Sequence, residues 1–127
     1  MSVALYLVTH EGIASQLLAT AHAIIGQATD NMAYLEIPMD ADSEEYSQQA
    51  INCIKDMDSH DGLILVTDIF GATPSNIAQT LATHFEATLI SGLNLPMLLR
   101  LLNYRHEPLL MLTNRAIEGG RNGIQQH

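Results

Sequence analysis

The residue types in this chain best suited to chemistry are an imidazole and a carboxylate, each of which follows an apolar run. His10 closes Val3-Ala4-Leu5-Tyr6-Leu7-Val8-Thr9, and Asp68 closes Leu63-Ile64-Leu65-Val66-Thr67. Shortly after Asp68 stands Gly71-Ala72-Thr73-Pro74, which leads into a helix-like segment. A carboxylate beside an imidazole selects its tautomer and supports the positive charge that develops on it. With one ring nitrogen donating to Asp68, the other presents a lone pair that can attack an electrophile or bind a metal. Backbone amides at a helix start form an anion site, to which Thr73 adds a hydroxyl, and Gly71 and Ala72 are small enough for close approach. A nucleophilic imidazole, an orienting carboxylate and an anion cradle together describe phosphoryl transfer through a phosphohistidine. No second residue stands out as a base for water, so a phosphoryl group is expected to persist until another protein takes it.

Each feature also has an ordinary role. A histidine at a strand end is commonly a polar surface residue. Asp68 suits a turn, and Thr73-Pro74 suits a plain helix start, with Thr73 as the cap and Pro74 in the first helical position. A metal site built on His10 and Asp68 lacks a third ligand, and His22, His60, His84, His106 and His127 show no paired metal spacing. The chemical reading depends on whether the chain brings His10 and Asp68 together.

That depends on the elements around them. An apolar run without polar alternation suits a strand buried on both faces, as in a parallel sheet covered by helices. Ala14, Leu17, Leu18, Ala21, Ile24 and Ile25 recur at helical steps before Gly26, which reads as a helix with a glycine stop. Asp30-Asn31 makes a turn, and Met32 to Ile37 is a second strand ended by Pro38. Asp40, Asp42, Glu44 and Glu45 crowd the start of the next helix, where negative charge is favoured, and Asp42 and Glu45 have capping-box spacing. Ala50, Ile51, Ile54 and Met57 give that helix its apolar side. Leu63 to Thr67 is the clearest strand, and Ile77, Ala78, Leu81 and Ala82 face inward from the helix that begins at Pro74. Ala87 to Ser91 is a fourth strand. Helices are expected from Pro96 to about Asn103 and from near Pro108 to the Gly119-Gly120 pair, and the tail around Ile124 is either frayed or a short edge strand.

Strands alternating with helices imply parallel βαβ units. The expected fold is α/β, an open, mainly parallel sheet flanked by helices. In the order 2-1-3-4, His10 and Asp68 lie beside the switch point at the carboxyl edge, where open α/β folds collect their ligands.

The composition narrows the function further. A chain of 127 residues is most simply one domain over 1–127, and 47% apolar with 15% charged residues is ordinary for a soluble globular chain. No apolar run approaches the ~20 residues that span a bilayer, and no basic region precedes the first run, so neither a membrane span nor a secretory signal is expected. Net charge is −9, and Lys55, Arg100, Arg105, Arg115 and Arg121 are scattered, which argues against nucleic acid. An acidic surface can instead steer a basic protein partner. The single cysteine, Cys53, excludes an intrachain disulfide and is expected to be a buried helix residue in a cytoplasmic protein.

Three segments resemble the IIA components of the mannose class of the bacterial phosphoenolpyruvate-dependent sugar phosphotransferase system. They are Val8-Thr9-His10-Glu11-Gly12, the run Val66 to Asn76, and Ser91-Gly92-Leu93-Asn94-Leu95-Pro96-Met97-Leu98. The resemblance implies that His10 takes a phosphoryl group on Nε2 from the carrier protein HPr and passes it to a IIB protein or domain, with Asp68 holding the other ring nitrogen. On the reading of the helix start, Gly71, Ala72 and Thr73 are expected to bind the phosphoryl oxygens, and Asn94 and Leu95, past the fourth strand, are expected to shape the docking surface. The resemblance also implies a homodimer that exchanges a C-terminal edge strand, which would be the tail near Ile124. No metal or cofactor is expected, because the donor already carries an activated phosphoryl group. Two departures stand out. Glu11 sits where the family commonly has a small residue, and Ala72 replaces a frequent glycine. An alternative of another class is a regulatory module whose His10 phosphorylation state controls a partner without sugar transport.

Overall fold

The structure is a computed structural model, and it describes residues 2–26 and 30–127. The elements in chain order are β1 (Ala4–His10), α1 (Ala14–Ile25), β2 (Met32–Ile37), α2 (Ser43–Lys55), β3 (Leu63–Thr67), α3 (Thr73–Phe85), β4 (Thr88–Ser91), α4 (Leu95–Asn103) and α5 (Leu109–Asn122). The four strands form one sheet in the order β2-β1-β3-β4, and every pairing is parallel. This is the α/β architecture and strand order expected from the sequence.

β1 shows why its sequence lacks polar alternation. Leu5 and Leu7 pack on one face of the sheet, in a core shared with α1, α4 and α5. Ala4, Tyr6 and Val8 pack on the other, with Ile54 of α2 and Ile77 and Leu81 of α3. Both faces are covered, so both sets of side chains are apolar.

Caps fix several helix ends. Asp42 accepts from the Glu44 and Glu45 amides at the start of α2, and Gly26 closes α1 in the left-handed region at φ 69°. At α4 the Asn94 side chain accepts from the Met97 amide at 2.9 Å.

Several expectations are corrected. α5 does not stop at Gly119-Gly120 but runs through both to Asn122. The two glycines are buried because α4 and α5 lie close: a Cβ on Gly119 would overlap Arg100 Cγ, and one on Gly120 would come within 3.1 Å of Met97 Cε. Small residues here serve helix approach rather than helix termination. Of the two readings left open for the tail, the frayed one matches this chain: the residues from Ile124 form no strand within it, and Ile124 is exposed. Cys53 is exposed, outside the buried stripe of Ala50 and Ile54. Ile24 also lies on the outer side of its helix. Thr73 is not a cap. Ala72 takes the extended cap geometry, and Thr73 is already helical, one position too late for its hydroxyl to cap.

Candidate functional site

β1 and β3 are neighbours, with Val8 opposite Thr67, so the chain leaves both strands side by side at the carboxyl edge of the sheet. His10 ends β1, and Asp68 comes one residue after β3. Asp68 Oδ2 lies 2.7 Å from His10 Nδ1 and also accepts the His10 main-chain N–H at 3.2 Å. A carboxylate accepts only, so Nδ1 carries the proton and Nε2 holds the free lone pair. The His10 side chain is 31% exposed and that of Asp68 10%. Burial pushes the Asp68 carboxyl upward, but the hydrogen bonds from the His10 ring and main chain outweigh it and hold the group below its ordinary range. The pair is therefore an ionised carboxylate clamped to an imidazole that opens toward solvent.

Thr9 ties the strand end to the next helix. Buried, it donates to the His10 carbonyl at 2.8 Å and accepts from the Ala14 amide at 3.1 Å. Glu36, at the end of β2 and opposite Thr9 in register, accepts from the Ser15 amide at 2.8 Å and the Ser15 hydroxyl at 2.6 Å. Those bonds, with a further one from the Gly12 backbone, hold the Glu36 carboxyl below its ordinary range despite partial burial. Glu11 is exposed beside His10.

After Asp68 the chain presents Ile69 and Phe70 to solvent, then turns at Gly71, whose φ of 94° favours glycine. Ser75 fixes this turn from beneath. Its fully buried hydroxyl accepts the Gly71 N–H at 2.8 Å and donates to the Ala72 carbonyl at 3.0 Å. The Gly71 N–H, expected among the donors of the anion cradle, is thus already engaged. Among the described residues no hydrogen bond engages the main-chain N–H of Ala72, Thr73 or Ser75, and Pro74 has none to offer. The open donors at the start of α3 are those three amides and the exposed Thr73 hydroxyl.

Asn94 and Leu95 stand at the head of α4. The Asn94 amide caps α4 and donates to the Gly120 carbonyl at 3.1 Å, which latches α4 to α5. Leu95 is partly buried against the core. His22, His60, His84, His106 and His127 are exposed, and no group of three His, Cys, Asp or Glu among the described residues could hold a metal ion.

Sequence reasoning did not single out Ser75 or Glu36. Ser75 reads as one more residue of the helix start, although a serine directly after Thr-Pro is a signal that its hydroxyl could turn back on the loop. Glu36 reads as the polar face of an edge strand, and nothing local marks its reach to Ser15.

The fold and the site together are those of an α/β protein with an all-parallel sheet and an imidazole–carboxylate pair at its carboxyl edge. A family model described as the PTS system fructose IIA component, EIIA-man, matches residues 4–114. The chain belongs to that family, the mannose-class IIA components of the bacterial sugar phosphotransferase system. It is 28% identical over 130 residues to the PTS system mannose-specific EIIAB component of Escherichia coli (strain K12), covering 98% of this chain and 39% of that protein. The chain therefore spans about two fifths of the length of that relative. Among solved structures it is similar to the mannose/sorbose specific IIA subunit from Enterococcus faecalis, with a TM-score of 0.85 and 21% identity over 100% of this chain and 96% of that one. It is also similar to the EIIA component from Streptococcus agalactiae, with a TM-score of 0.83 and 22% identity over 98% and 96%. Components of this family are parts of a phosphotransferase. Among the described residues no helix is long and apolar enough to cross a membrane.

Proposed function

We propose that His10 is the phosphoryl carrier of this protein, loaded by phospho-HPr and unloaded by a IIB protein. The observation that carries the reading is the 2.7 Å contact between His10 Nδ1 and Asp68 Oδ2, which leaves Nε2 as the nucleophile. The Nε2 lone pair attacks the phosphorus of the donor's phosphohistidine. A new N–P bond forms, the donor's N–P bond breaks, and its electron pair stays on the donor ring. The proton stays on Nδ1, hydrogen-bonded to the Asp68 carboxylate, whose negative charge offsets the positive charge of the phosphorylated ring. The amides of Ala72, Thr73 and Ser75 and the Thr73 hydroxyl, in a turn shaped by Gly71 and Ala72, receive the phosphoryl oxygens.

Exposed Ile69 and Phe70 supply apolar surface beside the site for protein docking, while the head of α4 at Asn94 and Leu95 lies at the same sheet edge. The chain works in the cytoplasm within a homodimer, with HPr as donor and a IIB protein or domain as acceptor. The test is incubation with phosphoenolpyruvate, enzyme I and HPr. An acid-labile phosphate label is expected on the wild type and absent from His10→Ala. Label retained by His10→Ala would remove His10 from the role. Addition of a IIB protein should then discharge the label.

A further inference from the structure

Two helices start at the carboxyl edge beside His10: α1 follows β1, and α3 follows β3. Each helix start carries amides that attract anions, so each is a place where phosphoryl oxygens could settle. The two ends are not equivalent. At α3 the Ala72, Thr73 and Ser75 amides are open. At α1 the chain engages the first two amides itself: the Ala14 amide goes to Thr9 Oγ1, and the Ser15 amide and hydroxyl both go to Glu36 Oε2, which leaves only the Gln16 amide open in that turn. Glu36 comes from a different strand, 21 residues away in sequence, and its carboxylate stands where an external anion would stand.

We propose that Glu36 is a positioning and specificity residue: it occupies the anion-accepting end of α1, steering the phosphoryl group on His10 toward the end of α3, and holds the Glu11–Ile13 turn that follows His10. This rests on the phosphoryl-carrier reading. The turn is anchored at both ends. The Ile13 amide bonds the His10 carbonyl at 3.4 Å, the Thr9 hydroxyl bonds the same carbonyl, and Glu36 pins Ser15. Exposed Glu11 lies within that turn, so Glu36 also governs where a second carboxylate sits relative to the incoming group.

The test uses nitrogen-15-labelled chain titrated with inorganic phosphate and followed by amide resonances. In the wild type the Ser15 resonance should not move. In Glu36→Gln, whose amide oxygen can still accept both Ser15 bonds, it should also not move. In Glu36→Ala it should shift saturably as phosphate enters the vacated end, while the dispersed spectrum shows an intact fold. Movement of Ser15 in the wild type, or none in Glu36→Ala, overturns the proposal. The second readout is the rate of His10 labelling from phospho-HPr. We expect a loss of about tenfold in Glu36→Ala, the scale of one lost helix cap, and near-complete rescue in Glu36→Gln. Equal loss in both variants overturns the positioning role. Absence of label from the wild type would instead defeat the carrier reading, and the phosphate titration would still decide the role of Glu36.

Discussion

One oxygen of Asp68, Oδ2, accepts both the ring Nδ1–H and the main-chain N–H of His10, at 2.7 and 3.2 Å. The two bonds fix different things. The first sets tautomer and ring orientation, and the second sets the strand end from which the ring projects. A residue that did only one of these would leave Nε2 less well aimed.

Asp68→Ala should therefore slow His10 labelling by roughly 100-fold, the range for loss of a group that supports proton and charge placement. The fold should lose only about 1 kcal/mol, because the ring is part-exposed and water can replace the carboxylate. Nitrogen NMR of the His10 ring should show a mixture of tautomers in place of the single Nδ1–H form. An unchanged labelling rate would take Asp68 out of the mechanism.

Ser75→Ala removes the hydroxyl that joins the Gly71 amide to the Ala72 carbonyl. Urea unfolding should show a loss of about 1–2 kcal/mol, since two turn groups lose their buried partner. Labelling should also slow as the start of α3 loosens. Ser75→Thr should not restore the wild type, because its extra methyl must fit a fully buried site. Stability equal to wild type in Ser75→Ala would show that the turn holds itself.

Gly119→Ala tests the approach of α5 to α4. Alanine is the better helix former by ~1 kcal/mol, yet its Cβ would overlap Arg100 Cγ. Overpacking costs about 1–3 kcal/mol, so the net effect should be destabilising. In an Arg100→Ala background the same substitution should become neutral or stabilising, because the overlapping atom is gone. Equal effects in both backgrounds would place the cause elsewhere.

Acid should unfold the protein partly through Glu36 and Asp68. Both carboxyls are held below their ordinary values in the folded chain, so as pH falls the unfolded chain binds protons first. Their contribution is complete above the unfolded values of about 4 and is lost as pH drops through the folded ones. Glu36→Gln should flatten the decline in unfolding midpoint below pH ~4. A slope identical to wild type would mean that Glu36 titrates alike in both states.

The strands that carry the site were legible because burial on both faces leaves an unmistakable run. Met32–Ile37 and Leu63–Thr67 have the boundaries that the pattern predicts. The start of α3 was legible to within a residue, but its chemistry was not. Thr73 looked like the cap by type, whereas the turn places Ala72 in the capping position and hands the loop to Ser75. Gly119-Gly120 has the local signature of a stop, and what it encodes is the distance to another helix.

What the sequence determined by itself was the kind of group at each strand end: an imidazole after one apolar run, a carboxylate after another, and small residues before a helix. Those follow from local pattern, since the period of burial and the residues that end a strand are written in a few neighbouring positions. Only the tertiary structure decided that the ends meet, because His10 and Asp68 are 58 residues apart and their bond exists only if β1 lies beside β3. The same holds for Glu36, whose carboxylate acquires its partners at α1 through strand pairing rather than through its neighbours in the chain.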